Sequence, residues 1–256
     1  MNLKLNRNPL VETIHRLSSI QSDGLKLMAR KVAASTMAAL LMIGGVVQAN
    51  AATAPATRFS DSFEGTKIYP YWTLAEDYGT ITLSKDQAYS GTHSLKLAAT
   101  SAGGQRSLTA IHKLPAATKG TVSIAFYDYA PGTETLYEQL TLINSKNPSE
   151  IAASVGTMDF DSECYMAGFP IGTGPNANCG IYPQQSTTAV KRTAGWHVLS
   201  ISFGSAYVSI SIDGTVVHSV EGNYTFDTIS IGVYGPSYRP DTVAYFDDFA
   251  FTPLSY

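Results

Sequence analysis

Three carboxylates occupy alternate positions in the run MDFDSEC: Asp159, Asp161 and Glu163. Side chains two apart on a strand share a face. On a strand, this trio could therefore set a general acid beside a nucleophile, the pairing that cleaves a glycosidic bond. Gly156 before it and Cys164 after it point as well to a turn-rich rim, where the carboxylates are merely solvated. Other nucleophile and metal chemistries lack their patterns. The chain has no Gly-x-Ser-x-Gly elbow, and His93, His112, His197 and His218 show no zinc spacing.

A second group of residues suits binding better than bond cleavage. Sugars offer flat apolar faces edged by hydroxyls, so a site for them needs aromatic rings beside short polar side chains. Tyr127 and Tyr129 fall on the outward positions of one predicted strand. Tyr137, Gln139 and Thr141 do so on another, while Tyr165, Tyr182 and Arg192 could overhang from loops. These residues predict a saccharide platform on a sheet face. The plainer account is that Tyr is a good strand residue.

The elements that position these residues begin after a distinct leader. Val32 to Val47 is an uncharged apolar run, preceded by Arg30-Lys31 and followed by Ala49-Asn50-Ala51, a small-x-small cleavage pattern. Sixteen residues with two Gly are short for a membrane span, which needs about 20. Residues 1–51 therefore read as a signal peptide, with Met28 as an alternative start, and 52–57 as a short flexible lead-in. The expected location is secreted or periplasmic, with no stable membrane insertion once the leader is cleaved. Removing the leader takes six basic and two acidic side chains, leaving 11 basic, 18 acidic and a net charge of -7. All 27 aromatic residues lie in what remains. An acidic, Tyr-rich surface excludes nucleic acid as a partner and favours a neutral ligand or one that needs a cation. Export also permits a disulfide. Cys164 and Cys179 enclose a Gly/Pro/Asn-rich loop, and bridging it would contribute roughly 3 kcal/mol.

From residue 58 to 256 the pattern is one of short alternating runs without a credible helix, read as a single domain. Val122, Ile124 and Phe126 alternate with Ser123, Ala125 and Tyr127; His197, Leu199, Ile201 and Phe203 alternate with Trp196, Val198, Ser200 and Ser202. Parity with these apolar residues makes His197 a candidate buried, hydrogen-bonded histidine. Asp213-Gly214 between SISI and TVVHSV predicts a two-residue hairpin. Strands are predicted near 58–63, 80–84, 93–98, 106–112, 121–129, 136–143, 150–155, 187–191, 196–204, 206–212, 215–220, 226–234 and 243–252, the first pairing with the last. Many short strands imply an all-β, two-sheet antiparallel β-sandwich of jelly-roll type.

The motifs along this domain carry a resemblance. Asp61-Ser62-Phe63-Glu64-Gly65 opens it, Tyr89-Ser90-Gly91-Thr92-His93-Ser94-Leu95 follows, Gly195-Trp196-His197 precedes the Asp-Gly hairpin, and Tyr245-Phe246-Asp247-Asp248-Phe249 closes it. In this order they resemble the concanavalin A-like lectin/glucanase superfamily, including laminin-G-like domains and bacterial carbohydrate-binding modules. The resemblance implies one structural calcium ion where the first and last strands meet. Glu64 and Asp247 would be its ligands, with Asp61, Asp248 or carbonyls of residues 91–93 completing the shell. The superfamily's glucanases carry Glu-x-Asp-x-x-Glu, which is absent here; Asp159, Asp161 and Glu163 come nearest. Its polysaccharide lyases imply a Tyr base with Gln, Arg and His, types that Tyr182, Gln139, Arg192 and His197 could supply.

These readings lead to one principal expectation: an exported carbohydrate-binding sandwich without catalysis. A polysaccharide lyase or glycoside hydrolase of the same fold is the alternative, and a protein-binding adhesion module is the third.

Overall fold

The computed structural model describes residues 56–100, 106–129, 137–146, 151–158, 161–168, 185–235 and 241–255. The expected leader, Asp159, Cys179 and Tyr182, and with Cys179 the expected disulfide, lie outside the described residues.

The described residues form fifteen strands: β1 (Phe59–Asp61), β2 (Thr73–Asp77), β3 (Gly79–Ser84), β4 (Ser94–Ala99), β5 (Arg106–Thr118), β6 (Gly120–Asp128), β7 (Tyr137–Ile143), β8 (Ile151–Met158), β9 (Asp161–Gly168), β10 (Gln185–Lys191), β11 (Gly195–Phe203), β12 (Tyr207–Ile212), β13 (Thr215–Glu221), β14 (Phe226–Gly235) and β15 (Thr242–Pro253). They pair antiparallel in two sheets. One sheet runs β13-β12-β11-β6-β15-β4-β3, with β1 also on β15; the other runs β10-β9-β8-β7-β14-β5-β2.

Alternation decides which side chains meet between the layers. Val122, Ile124 and Phe126 of β6, Leu199, Ile201 and Phe203 of β11, and Val208, Ile210 and Ile212 of β12 point inward from the first sheet. Leu108 and Ala110 of β5, Leu140 and Leu142 of β7, and Ile229, Ile231 and Val233 of β14 meet them from the second. Each fully buried side chain of this size contributes roughly 1.5–3 kcal/mol relative to exposure. The two-layer sandwich inferred from strand spacing is thus the architecture, and β1 does pair with β15, Phe59 opposite Phe251.

Strand β15 breaks its own alternation. Ala244 and Phe246 face inward at even positions, Phe249 and Phe251 at odd ones, and the register with β6 shifts between Asp247 and Ala250. Asp248 takes the extra step with φ 45, a left-handed conformation that Asp tolerates better than most residues. The Asp213-Gly214 turn also forms as expected, with φ 50 and 76, as a two-residue hairpin turn requires.

Two strands escaped the sequence reading. β2 (TLAED) is a polar edge strand whose one large apolar residue, Leu74, is exposed. β9 replaces the expected turn-rich rim: Asp161 and Glu163 belong to a strand that pairs with β8 and β10. Glu163 is exposed, while Tyr165 and Ala167 further along are core.

The β7–β8 pair depends on a glycine. A Cβ on Gly156 would lie 1.9 Å from the Glu138 carbonyl oxygen and 2.9 Å from the Gln139 Cα. Both are backbone atoms that cannot step aside. Gly156→Ala is expected to destabilise by at least about 1–3 kcal/mol in denaturant unfolding. Gly195→Ala, where nothing lies within 4 Å, should cost only backbone strain; equal losses would refute the steric account.

Candidate functional site

On the outer face of the first sheet, three neighbouring strands place aromatic residues side by side. The register sets Trp196 of β11 opposite Tyr127 of β6, and Tyr127 opposite Tyr245 of β15. Tyr127 packs edge-on against Trp196 at 5.4 Å and against Tyr129 at 5.1 Å; Tyr89 meets Trp196 at 5.7 Å. Such contacts each add about 0.5–1.5 kcal/mol beyond area burial and fix the rings as one strip. Its floor is Tyr245, 4% exposed, and its accessible rings are Tyr89 at 48% and Tyr129 at 42%. Along one side, Lys96 lies 5.6 Å from the Tyr245 ring centroid and pairs with Asp86 at 2.6 Å. The Tyr245 hydroxyl donates to Asp86 at 3.2 Å. Charge at this edge is compensated, so the strip presents rings and hydroxyls.

The bulge in β15 fixes one end of the strip. Asp247, buried on the outer side of the step, accepts from the backbone N–H groups of Tyr89 (2.8 Å), Ser90 (3.1 Å) and Asp248 (2.7 Å). Burial nevertheless pushes its carboxyl up. Glu64 accepts from the N–H groups of Thr92 and His93 at 2.8 and 2.7 Å, and these backbone donors hold its carboxyl down at about 2. Two carboxylates far apart in sequence thus grip the 89–93 turn that carries Tyr89. Gly91 suits the turn: it takes φ 59, and a Cβ there would lie 2.5 Å from the Glu64 carboxyl carbon, so the carboxylate would have to shift off its backbone donors.

This cradle is where the expected calcium ion would sit, and the residues fit it in part. Glu64 and Asp247 supply carboxylates to one turn. Asp248 engages Ser90 Oγ at 2.8 Å, and Asp61 is occupied elsewhere, accepting from Phe63 N–H at 2.8 Å and Trp72 Nε1 at 2.9 Å. Among the described residues, no group of three or more His, Cys, Asp or Glu side chains converges on one point. Backbone carbonyls would have to complete a shell of six to eight oxygens.

Several residues expected at the ligand surface lie between the sheets instead. Arg192, 1% exposed, donates from Nε and Nη2 to both oxygens of Asp128 at 2.9 and 2.6 Å. Tyr165 is fully buried beside them, its hydroxyl pushed up by burial and by Asp128. Neither residue overhangs a platform, because both fill the sandwich where β6 ends. His197 is the partly buried, hydrogen-bonded histidine that parity suggested: Nδ1 lies 2.7 Å from Asp213 Oδ2 and Nε2 2.8 Å from the Thr193 carbonyl. The described members of the proposed lyase set therefore do not come together. Arg192 and His197 face the interior and Gln139 does not.

Gln139 and Tyr137 point outward from β7, on the second sheet, so they stand on the opposite side of the molecule from Tyr127 and Tyr129. Tyr137 is paired with Tyr234 of β14, whose hydroxyl lies 3.1 Å from Ser230 Oγ. Thr109, Gln139, Thr141, Ser154 and Ser230 make this face polar yet recessed, each 6% exposed or less. No carboxylate stands among these outward residues. Trp196, Tyr245 and Tyr89 were not singled out as ligand-binding. Parity with Tyr127 was available for the first two, whereas Tyr89 needs the long-range Asp247 contact.

No family model matches the sequence, and no curated protein does. The fold does have relatives among solved structures. The laminarinase catalytic domain from Thermotoga maritima MSB8 is similar with a TM-score of 0.54 and 12% identity, covering 75% of this chain and 96% of its own. A protein described as "Cellulose induced protein, Cip1" matches at 0.51 and 14%, covering 76% and 96%. The Bacillus licheniformis β-glucanase matches at 0.52 and 10%, covering 76% and 97%. The fold is the concanavalin A-like jelly-roll sandwich.

The buried and exposed ion pairs should respond differently to loss of their cations. Arg192→Met leaves the buried Asp128 carboxylate without its guanidinium and is expected to cost about 3–5 kcal/mol in denaturant unfolding. Lys96→Met, beside a solvated Asp86, should barely move the melting temperature. Similar effects from the two would contradict this assignment of burial.

Proposed function

We propose that this chain is an exported carbohydrate-binding β-sandwich whose ligand lies along the Tyr89–Trp196–Tyr127–Tyr129 strip and is not cleaved there. The observation that carries this reading is the strip itself: four rings locked edge to face, two of them open to solvent, beside a neutralised ion pair. Fixed rings stack on sugar faces at little entropic cost, and tyrosine hydroxyls can exchange hydrogen bonds with sugar hydroxyls. A fold shared with proteins named laminarinase and β-glucanase makes a neutral β-glucan the first ligand to offer.

The absence of catalysis is inferred from the carboxylates. Beside the strip, the acids are engaged: Asp86 by Lys96, Asp247 by backbone N–H groups. Glycoside hydrolysis requires two carboxyls roughly 5–10 Å apart that are free to exchange protons with the substrate, and both of these are committed to other partners. The enzyme reading would draw on Asp161 and Glu163, which share parity on β9. Release of reducing ends, or ultraviolet absorbance from unsaturated uronates, across a polysaccharide panel would establish it in place of ours.

Affinity gels containing β-glucan test the strip directly. Tyr127→Ala should abolish retention and Tyr137→Ala, on the far sheet, should leave it intact; the reverse pattern would transfer the site to the recessed face. We also propose that a calcium ion, held by Glu64 and Asp247, stiffens the 89–93 turn. Chelation is then expected to lower the melting temperature of the wild type but not of Asp247→Ala, and a chelator-insensitive wild type removes the ion.

A further inference from the structure

Glu138 lies directly behind the strip and takes no part in the binding reading. It is the second residue of β7, 1% exposed, and it faces inward with Leu140 and Leu142. Its Oε1 has no hydrogen-bond partner, and Oε2 only a long one from Thr157 Oγ1 of β8, at 3.4 Å. The charged and titratable groups around it are Asp128 at the end of β6, Arg192 after β10 and Tyr129 of the strip. Tyr165 of β9 adjoins Asp128, with the His197 ring of β11 5.5 Å from it and Asp213 beyond.

One guanidinium therefore serves two buried carboxyls. Arg192 is bidentate on Asp128, so Glu138 has no cation of its own. With a proton on Glu138 the group is electrically balanced; without it, the interior carries a net negative charge, which is strongly disfavoured. Asp128 sits between Tyr127 and Tyr129 in the chain, so any displacement of Asp128 moves both rings.

We propose that the proton on Glu138 holds the end of β6 in its binding pose, and that loss of this proton displaces Tyr127 and Tyr129 and weakens ligand binding. The effect on binding rests on the saccharide-strip reading; the change in pose does not. Burial first, and repulsion from Asp128 second, push the Glu138 carboxyl up to about 8. The folded protein thus keeps a proton that the unfolded chain releases near 4.5. Stability contributed by this proton falls as pH rises from about 4.5 to about 8 and levels off above.

The two tryptophans allow a ligand-free test. Trp72 is buried and bonded to Asp61, whereas Trp196 touches Tyr127 and Tyr89. The wild-type minus Trp196→Phe emission difference should titrate with a midpoint near 8. The titration should vanish in Glu138→Gln and persist in His197→Gln. Retention on the β-glucan gel should fall several-fold between about pH 6.5 and 9 in the wild type and stay level in Glu138→Gln. Should Glu138→Gln fail to fold, carboxyl ¹³C resonances of glutamate-labelled wild type read the Glu138 proton directly. An emission titration that survives in Glu138→Gln, or disappears with His197, overturns the proposal. A Glu138-dependent emission change without retention at any pH upholds the pose change and sinks the strip as a glucan site. Retention that stays level with pH in the wild type sinks the switch and spares the strip.

Discussion

The half-step in β15 is the constraint from which the site follows. This strand lies between β6 on one side and β4 followed by β1 on the other. A regular strand of its sequence could bury Phe246 or Phe249 on the core side, but not both. The extra residue at Asp247–Asp248 lets both rings into the core and aims the Asp247 carboxylate at the backbone of the 89–93 turn. That single hydrogen-bonded group brings a distant segment against the sheet, and with it the ring that completes the strip.

The two faces of the sandwich are consequently unlike. One gathers large rings over a compensated charge pair; the other carries short hydroxyl and amide side chains in a recess. Between them, the polar interior near the end of β6 runs against the usual composition of a core. Two carboxyls and one guanidinium there are costly to bury and add little stability as a pair. Their effect is to tie β6, β7, β8 and the segment after β10 to a common geometry, directly beneath the residues that would touch a ligand.

Much of this was legible in the sequence where the information is local. Alternation located the strands, and Asp213-Gly214 marked its hairpin. Edge strand β2 has no apolar alternation to detect, and β9 was hidden by the apparent loop chemistry around Cys164. Parity also told which way Tyr127 and Tyr137 point relative to their own strands. It could not tell that they belong to different sheets, because sheet membership is a non-local property. Arg192 and Tyr165 were misplaced for a related reason. Their burial depends on Asp128, whose parity with Val122, Ile124 and Phe126 did announce an inward carboxylate in need of a cation. Glu138, in register with Leu140 and Leu142, carried the same warning.

The pairing of β1 with β15 also decides how the domain yields to mechanical load. Phe59 lies opposite Phe251 in antiparallel register, so the two ends of the described chain sit at the same end of one ladder. Tension applied through them peels that ladder rung by rung instead of shearing all its bonds together. The first losses are the contacts of the Phe59 ring with Phe249 and Tyr71, while the turn held by Asp247 and Glu64 stays seated. A pulled molecule would shed its opening strand at low force and keep its aromatic face assembled until β15 itself parts from β6.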